Sequence, residues 1–308
     1  MNSYNEYNPE ELFSLEEDEI LLKEKNSVNH IYYNETRKHG ELQKKNTPFV
    51  TFPALEKYDF IRHGFSTKLG GVSKNEFTSL NLSFYRGDEE ASVATNYDRI
   101  LKSMGLEETK VIFSDQVHDT IVHHVTKEDI PTKKYERILK GIDGLITNEP
   151  GLTLCTSYAD CVPLYFVDPV KKAIGLSHSG WKGTVGKIGA KTVKAMCETF
   201  GSKESDIIAV IGPSICFDCY EISEDVAKQF MKAFREEDHD KILWYKGNGK
   251  YHLDLWLANE LILQEAGVKK ENISNSNICT CCNSTLFYSH RASQGKRGNL
   301  AAFLALVP

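Results

Sequence analysis

Apolar positions cluster into short runs after residue 48, and their spacing separates strands from helices. Strand-like runs fall at 58–65, 110–113, 120–125, 152–156, 164–167 and 173–176. Their lengths suit strands, and β-branched and aromatic residues are frequent in them. Apolar residues recur every three or four positions at 91–104, 184–200, 224–234 and 255–267, the period of a helix with one buried face. Gly105, Gly201 and Gly267 stand where helix C-terminal caps are expected. Asp168-Pro169 is a turn signal between the last two strands, and so short a connection predicts an antiparallel pair. Strands that follow one another without an intervening helix exclude a regular βαβ repeat. The pattern predicts an α+β fold with mixed sheets covered by helices.

Residues 1–47 follow another pattern. The segment 10–25 is acid-rich, with Leu12, Leu15, Ile20, Leu21 and Leu22 as apolar members. It predicts a short amphipathic helix, followed by a strand at 28–33 and a polar, linker-like stretch at 36–47. We read residues 1–47 as an N-terminal extension that packs on the main body, in preference to a partner-binding arm, and residues 48–308 as that main domain.

Composition narrows the class. Of 308 residues, 41% are hydrophobic and 26% charged, the balance of a soluble globular protein with a substantial core. A net charge of -6 argues against a general nucleic-acid binder, which would show a basic face. No apolar run approaches the roughly 18 residues of a membrane helix. The acidic, polar start lacks the features of a secretory signal. Eight cysteines in such a chain then read as reduced thiols or metal ligands in a cytoplasmic protein.

Candidate chemistry centres on His118, Cys161 and His178, each at or near the end of a strand-like run. Two imidazoles and a thiolate would leave one position open on a tetrahedral ion, which is the mark of a catalytic zinc. Copper is the less favoured ion, since a blue-copper site also wants a weak axial ligand such as Met, and none lies in these segments. The three residues are too far apart for a zinc finger, so spacing alone says little. Asp160, next to Cys161, is a candidate to orient a ligand or hold a proton. Trp181 is either an aromatic wall for a flat ligand or a packed core indole. Gly180, Gly183, Gly186 and Gly189 open a helix after a strand, which suits either a phosphate or close helix–sheet packing. Cys216 and Cys219 form a Cys-x-x-Cys, with Cys279, Cys281 and Cys282 downstream. A second, structural zinc is conceivable there, but we read these five as ordinary thiols.

Several strings together carry a resemblance. They include His63-Gly64-Phe65-Ser66-Thr67-Lys68-Leu69-Gly70-Gly71-Val72-Ser73, Ser79-Leu80-Asn81-Leu82, Gln116-Val117-His118 and Asp143-Gly144-Leu145. Ala159-Asp160-Cys161-Val162-Pro163, His178-Ser179-Gly180-Trp181-Lys182-Gly183, Gly212-Pro213, Cys219-Tyr220-Glu221, Ser289-His290-Arg291 and Arg297-Gly298 complete the set. In these strings and their order the chain resembles the YlmD/YfiH family, also known as laccase-domain or multicopper polyphenol oxidase proteins. The resemblance implies a single layered α/β/β/α-type domain and a zinc-dependent purine nucleoside phosphorylase. The implied substrates are inorganic phosphate and adenosine or inosine, with guanosine and methylthioadenosine as further candidates and adenosine deamination as an accompanying activity. It places the metal on His118, Cys161 and His178. Lys68 departs from the pattern, because the family usually has Arg there, and a point charge replaces a planar fork. Lys68, Arg62, Arg291 and Arg297 are the candidate cations for substrate, and Asn81 a candidate for ribose or base.

Alternatives remain at this stage. Cys161 as nucleophile with His178 as base would make a Cys-His hydrolase. A copper-dependent polyphenol oxidase and a non-enzymatic binding module are the others.

Overall fold

The structure, a computed structural model, describes residues 41–43 and 47–307. The helix expected at 10–25 and the strand at 28–33 lie outside the described residues. In chain order the strands begin β1 (Glu41–Gln43), β2 (Phe49–Thr51), β3 (Ile61–Ser66), β4 (Lys110–Asp115), β5 (Val122–His124) and β6 (Leu139–Lys140). There follow β7 (Gly144–Thr147), β8 (Leu152–Tyr158), β9 (Val162–Asp168), β10 (Ala173–Ser179) and β11 (Ile208–Ile211). The last are β12 (Glu221–Ser223), β13 (Leu243–Gly247), β14 (Lys250–Leu253), β15 (Ile273–Asn275) and β16 (Leu300–Leu306). One sheet has the order β1-β2-β3-β16-β8-β4-β6, a second β15-β11-β9-β10-β7-β5, and a small third β12-β14-β13. The two large sheets each mix parallel and antiparallel pairs.

Alternation along the strands builds the layers. On β16, Leu300, Ala302, Leu304 and Leu306 face an inner core with Leu154 and Tyr158 of β8 and Tyr165 and Leu176 of the other sheet. Ala301, Phe303 and Ala305 face the opposite way, against Tyr97 and Ile100 of the helix Glu90–Met104. On β9 the same rule sends Tyr165 and Val167 inward, while Val162, Leu164 and Phe166 meet Val193, Met196 and Leu263 of the outer helices. Helix, sheet, sheet and helix thus stack in four layers, as the resemblance implies. Strands β8, β9, β10 and β16 are buried on both faces, so a truncation such as Phe303→Ala would cost roughly 3–5 kcal/mol.

The sequence pattern locates these elements well where the period is strong. β9 and β10 pair antiparallel from Ala173↔Asp168 to Ser179↔Val162 across the Asp168-Pro169 turn. The expected helix at 184–200 is two helices, Trp181–Val185 and Ile188–Phe200, broken at Lys187 with φ 58°. The segment 36–47, read as a linker, contains β1, which pairs antiparallel with β2. A ladder uses backbone groups, so a polar stretch can join a sheet edge without apolar side chains. No helix among the described residues is long and apolar enough to cross a membrane.

The His63-Gly64-Phe65-Ser66 string lies on β3 inside this frame. His63 is buried, and its Nε2 accepts the Phe52 N–H at 2.8 Å. Burial pushes its pKa down to about 4, so the ring stays neutral and serves as an acceptor.

Candidate functional site

Three strand ends converge where the inner layers open to solvent. β4 delivers His118 three residues after its last position, the β8–β9 turn delivers Cys161, and β10 carries His178 near its end. One ring nitrogen each from His118 and His178 and the Cys161 sulfur lie within 4.8 Å of one another. The two imidazole rings meet edge to face, 4.8 Å between centroids. His178 is buried, Cys161 half-buried and His118 exposed, so the cluster is anchored at one side and open at the other.

Asp143 organises this cluster, and the sequence string Asp143-Gly144-Leu145 gave no hint of how. It is fully buried, and His178 Nδ1 donates to its Oδ1 at 2.7 Å. The backbone N–H groups of Val117, His118 and Asp119 donate to the same carboxylate at 3.0, 3.1 and 3.0 Å. One carboxylate therefore fixes both the His178 ring and the loop that carries His118. With Nδ1–H held by Asp143, Nε2 is the nitrogen left to meet a metal, which would displace its proton. Burial works to raise the Asp143 pKa, but the His178 contacts and backbone donors bring it below its usual value. Burial likewise opposes ionisation of Cys161, yet His178 and His118 hold the thiol down at about 6. Against the lowering effect of burial, Cys161 and Asp143 raise His178 to about 9.

Gly180 leaves room for this arrangement. A Cβ there would come within 3.0 Å of His118 Cδ2 and 3.1 Å of Cys161 Sγ. Gly183 and Gly189 serve the close packing anticipated as one of two readings, with a Cβ on Gly189 meeting Leu164 and Leu263 at 3.3 Å. Trp181 packs beside the outer apolar core. Two imidazoles and a low-pKa thiol on one open face are a donor set that fits zinc.

Asp160 does not touch the three donors through its carboxylate. Its Oδ1 accepts the Thr280 hydroxyl and its Oδ2 the Arg291 N–H, both at 2.7 Å. It thereby ties the Cys161 turn to the segment 280–291. The Arg291 guanidinium donates to the Cys219 and Glu221 carbonyls and lies over the Tyr220 ring. Arg297 feels the charge of both Asp160 and Cys161. Burial first and Arg86 second bring its pKa down to about 10. His290, adjacent in sequence to Arg291, is shifted down by burial and then by Arg297, with Arg86 and Arg291 adding to the effect. Arg86, Arg291 and Arg297 thus lie around His290, close to the Asp160 that precedes Cys161; Arg86 did not stand out in the sequence, and His290 did so only within the Ser289-His290-Arg291 string.

The remaining sequence candidates fall elsewhere. Asn81 is fully buried, with Nδ2 donating to Ser83 O and Asp88 Oδ2 and Oδ1 accepting from Ser83 N and Asn299 N. Those four bonds use its whole capacity in this structure. Arg62 is exposed, pairs with Ala305 near the far end of β16, and donates to the Asp59 and Ile61 carbonyls. The other end of β16, at Leu300, pairs with Tyr158 beside the donor cluster. Lys68 Nζ donates to Ser284 O at 2.6 Å, and partial burial lowers its pKa.

The chain is similar to several known proteins. Residues 62–307 match the family model described as multi-copper polyphenol oxidoreductase laccase. The purine nucleoside phosphorylase YlmD of Bacillus subtilis (strain 168) is 42% identical over 247 residues, covering 79% of this chain and 87% of that protein. Adenosine deaminase RL5, from an unknown prokaryotic organism, is 34% identical over 77% of this chain and 93% of its own length. The crystal structure of YlmD from Geobacillus stearothermophilus superposes with a TM-score of 0.81 at 33% identity, covering 87% of this chain and 99% of that one.

Proposed function

The chain belongs to the multi-copper polyphenol oxidoreductase laccase family, and from that premise we propose that it is a zinc-dependent purine nucleoside phosphorylase. The observation that carries the reading is the open His118, Cys161, His178 cluster, with the Arg291 N–H bonded to Asp160 next to Cys161 and the Arg297 guanidinium beside the His290 ring. His118, Cys161 and His178 would hold the zinc, which when bound supplies a Lewis acid at an open position. Asp143 keeps His178 in the tautomer that can donate its lone pair.

In the proposed reaction a phosphate oxygen forms a bond to ribose C1′ while the C1′–N9 bond breaks. The electron pair leaves with the purine, which takes up a proton, and ribose 1-phosphate and free base are released. Arg291 and Arg297 would hold the phosphate, and His290, its pKa lowered by burial and then by its cationic neighbours, can accept from or donate to it. Adenosine and inosine are the first substrates to try, with guanosine and methylthioadenosine next. Residues 48–308 would form the catalytic domain and residues 1–47 an extension. A low-pKa thiol at the centre suits the reducing cytoplasm.

Adenosine deamination is a second reading, favoured by the relative named for that activity and by the open position in the donor set. The Cys161–His178–Asp143 relay would also suit a thiol hydrolase. The third donor, His118, beside the same sulfur weighs against it, because a nucleophilic thiol needs only one base. The test is a panel of purine nucleosides with and without phosphate, using protein of known metal content. Phosphate-dependent release of base with ribose 1-phosphate is expected. Base release at an equal rate without phosphate would overturn phosphorolysis, and ammonia with inosine from adenosine would establish the second activity. Turnover by metal-stripped protein would favour the thiol hydrolase.

A further inference from the structure

A second donor cluster stands apart from the first. The sulfurs of Cys216, Cys219, Cys279 and Cys282 all lie within 4.8 Å of one another. Cys219 Sγ is 3.4 Å and Cys216 Sγ 4.0 Å from Cys282 Sγ. A zinc ion with Zn–S bonds of about 2.3 Å in tetrahedral geometry spaces its sulfurs about 3.8 Å apart. Disulfide partners would stand at about 2.05 Å, well inside the separations found here. The room enclosed suits a single ion, since an iron–sulfide cluster would spread its thiolates further.

Local geometry is that of two facing Cys-x-x-Cys turns. Cys219 N–H donates to Cys216 O at 3.2 Å, closing the 3-10 turn Phe217–Cys219. The N–H groups of both Cys216 and Cys282 donate to Cys279 Sγ at 3.3 Å. Backbone N–H groups aimed at a sulfur favour its thiolate form. The two turns are joined by the Ser214↔Cys279 bridge, with Thr280 N–H donating to Ser214 O. Cys281 lies between the second pair and stays outside the cluster. Cys216 and Cys279 are buried and the other two half-buried.

We propose that Cys216, Cys219, Cys279 and Cys282 bind one zinc ion as a closed tetrathiolate that fastens the segments 212–221 and 276–291 together. Four protein sulfurs leave no open position, so this ion is structural and does no chemistry on substrate. Both fastened segments reach Asp160: Ile215 N–H donates to its carbonyl, and Thr280 and Arg291 donate to its carboxylate. The second ion therefore anchors the scaffold behind the Cys161 turn. The metal assignment itself does not depend on what reaction the first centre performs.

The test uses the full chain purified without chelator, with zinc measured per chain in wild type, Cys161→Ala and the Cys219→Ser/Cys282→Ser double variant. Cys161→Ala disables the first centre and is expected to retain one zinc; the double variant is expected to lose that ion. Should the double variant fail to fold, Cys161→Ala grown in cobalt carries the test alone. Its spectrum should show the intense sulfur-to-cobalt charge-transfer and d–d bands of a tetrahedral thiolate site. Folded Cys161→Ala without metal overturns the proposal, as does a disulfide among the four in protein prepared anaerobically. Iron in place of zinc overturns the metal assigned.

Discussion

The two donor clusters are built on opposite plans. The first draws His118, Cys161 and His178 from three separate strand ends, and a buried carboxylate holds two of them from behind. The second draws four cysteines from two short turns whose own hydrogen bonds are mostly to one another and to sulfur. A cluster propped by the scaffold keeps its shape without an ion and can leave a position open. A cluster made of loops relies on the ion itself, so that binding free energy becomes folding free energy. On the readings proposed above, the first plan serves chemistry and the second serves stability.

The strongest test of that contrast is Cys161→Ala. It should remove the metal of the first centre and about a thousandfold or more of turnover, equivalent to about 4 kcal/mol of transition-state stabilisation. The unfolding midpoint should move little, because Asp143 still gathers the His118 loop and the His178 ring. Zinc content, kcat/KM and thermal unfolding on one preparation check all three. A folded variant that keeps full activity would sink the first assignment, and a collapse in stability would erase the contrast.

Acid release of metal is a direct way to compare the two affinities, but the fold itself has an acid-labile point. His63 has its pKa held down at about 4 by burial, against 6.5 in an unfolded chain. The unfolded state therefore binds the extra proton between these values. Stability is fully present above pH 6.5 and falls as the pH drops toward 4, by about 3 kcal/mol in all. His63→Gln keeps an acceptor for the Phe52 N–H and removes the titration. Urea unfolding at pH 7.5 and 5 should show a smaller difference for His63→Gln than for wild type, after metal has been stripped from both. An equal difference would mean that His63 is not the group responsible.

Asp143→Asn probes how far the first centre depends on its support. An amide offers one carbonyl oxygen where the carboxylate serves four donors, and it holds no charge against His178. Loss of such a partner typically costs ten- to a hundredfold in metal affinity or activity. Zinc bound at the four-cysteine cluster should be unchanged in this variant. Competition with a chromogenic chelator separates the two ions, and equal weakening of both would contradict the independence of the centres.

How much of this was legible in the sequence depended on the kind of signal. Strands β8 to β10 and the helix Glu90–Met104 were readable because length, period and turn residues agreed. β16 was not, since Leu300–Leu306 is apolar throughout and a strand buried on both faces shows no alternation. His118, Cys161 and His178 have no informative spacing, and only the short strings around them pointed to a shared site. Asp143 sits just before β7 and its role is purely tertiary, so no local pattern could reveal it. Asn81 stood in the Ser79-Leu80-Asn81-Leu82 string and Arg62 was singled out by its charge, and the hydrogen bonds of both go to nearby structure. The second cluster is the reverse case. Its two Cys-x-x-Cys spacings were written in the chain, but Cys281 blurred the pairing, and nothing local says that residues 216 and 279 meet.

Lys68 offers the smallest and finest test, because it stands between the two regions compared. Its Nζ holds the Ser284 carbonyl, two residues beyond Cys282, while its own backbone N–H donates to Leu286 O. A contact of this kind, charged donor to neutral carbonyl, is worth about 1.5–3 kcal/mol when buried and less at a partly exposed position such as this. Lys68→Met should therefore loosen the segment after Cys282, with at most about a tenfold loss in kcat/KM. Lys68→Arg keeps the charge and should retain most of the activity. If Lys68 instead reaches phosphate directly, Lys68→Met will raise the KM for phosphate and leave the zinc at the four cysteines as firmly held as before. If it acts through the loop, that zinc will exchange faster while the KM for phosphate stays near wild type. Measuring zinc exchange and phosphate KM on the same three proteins assigns this lysine to one region or the other.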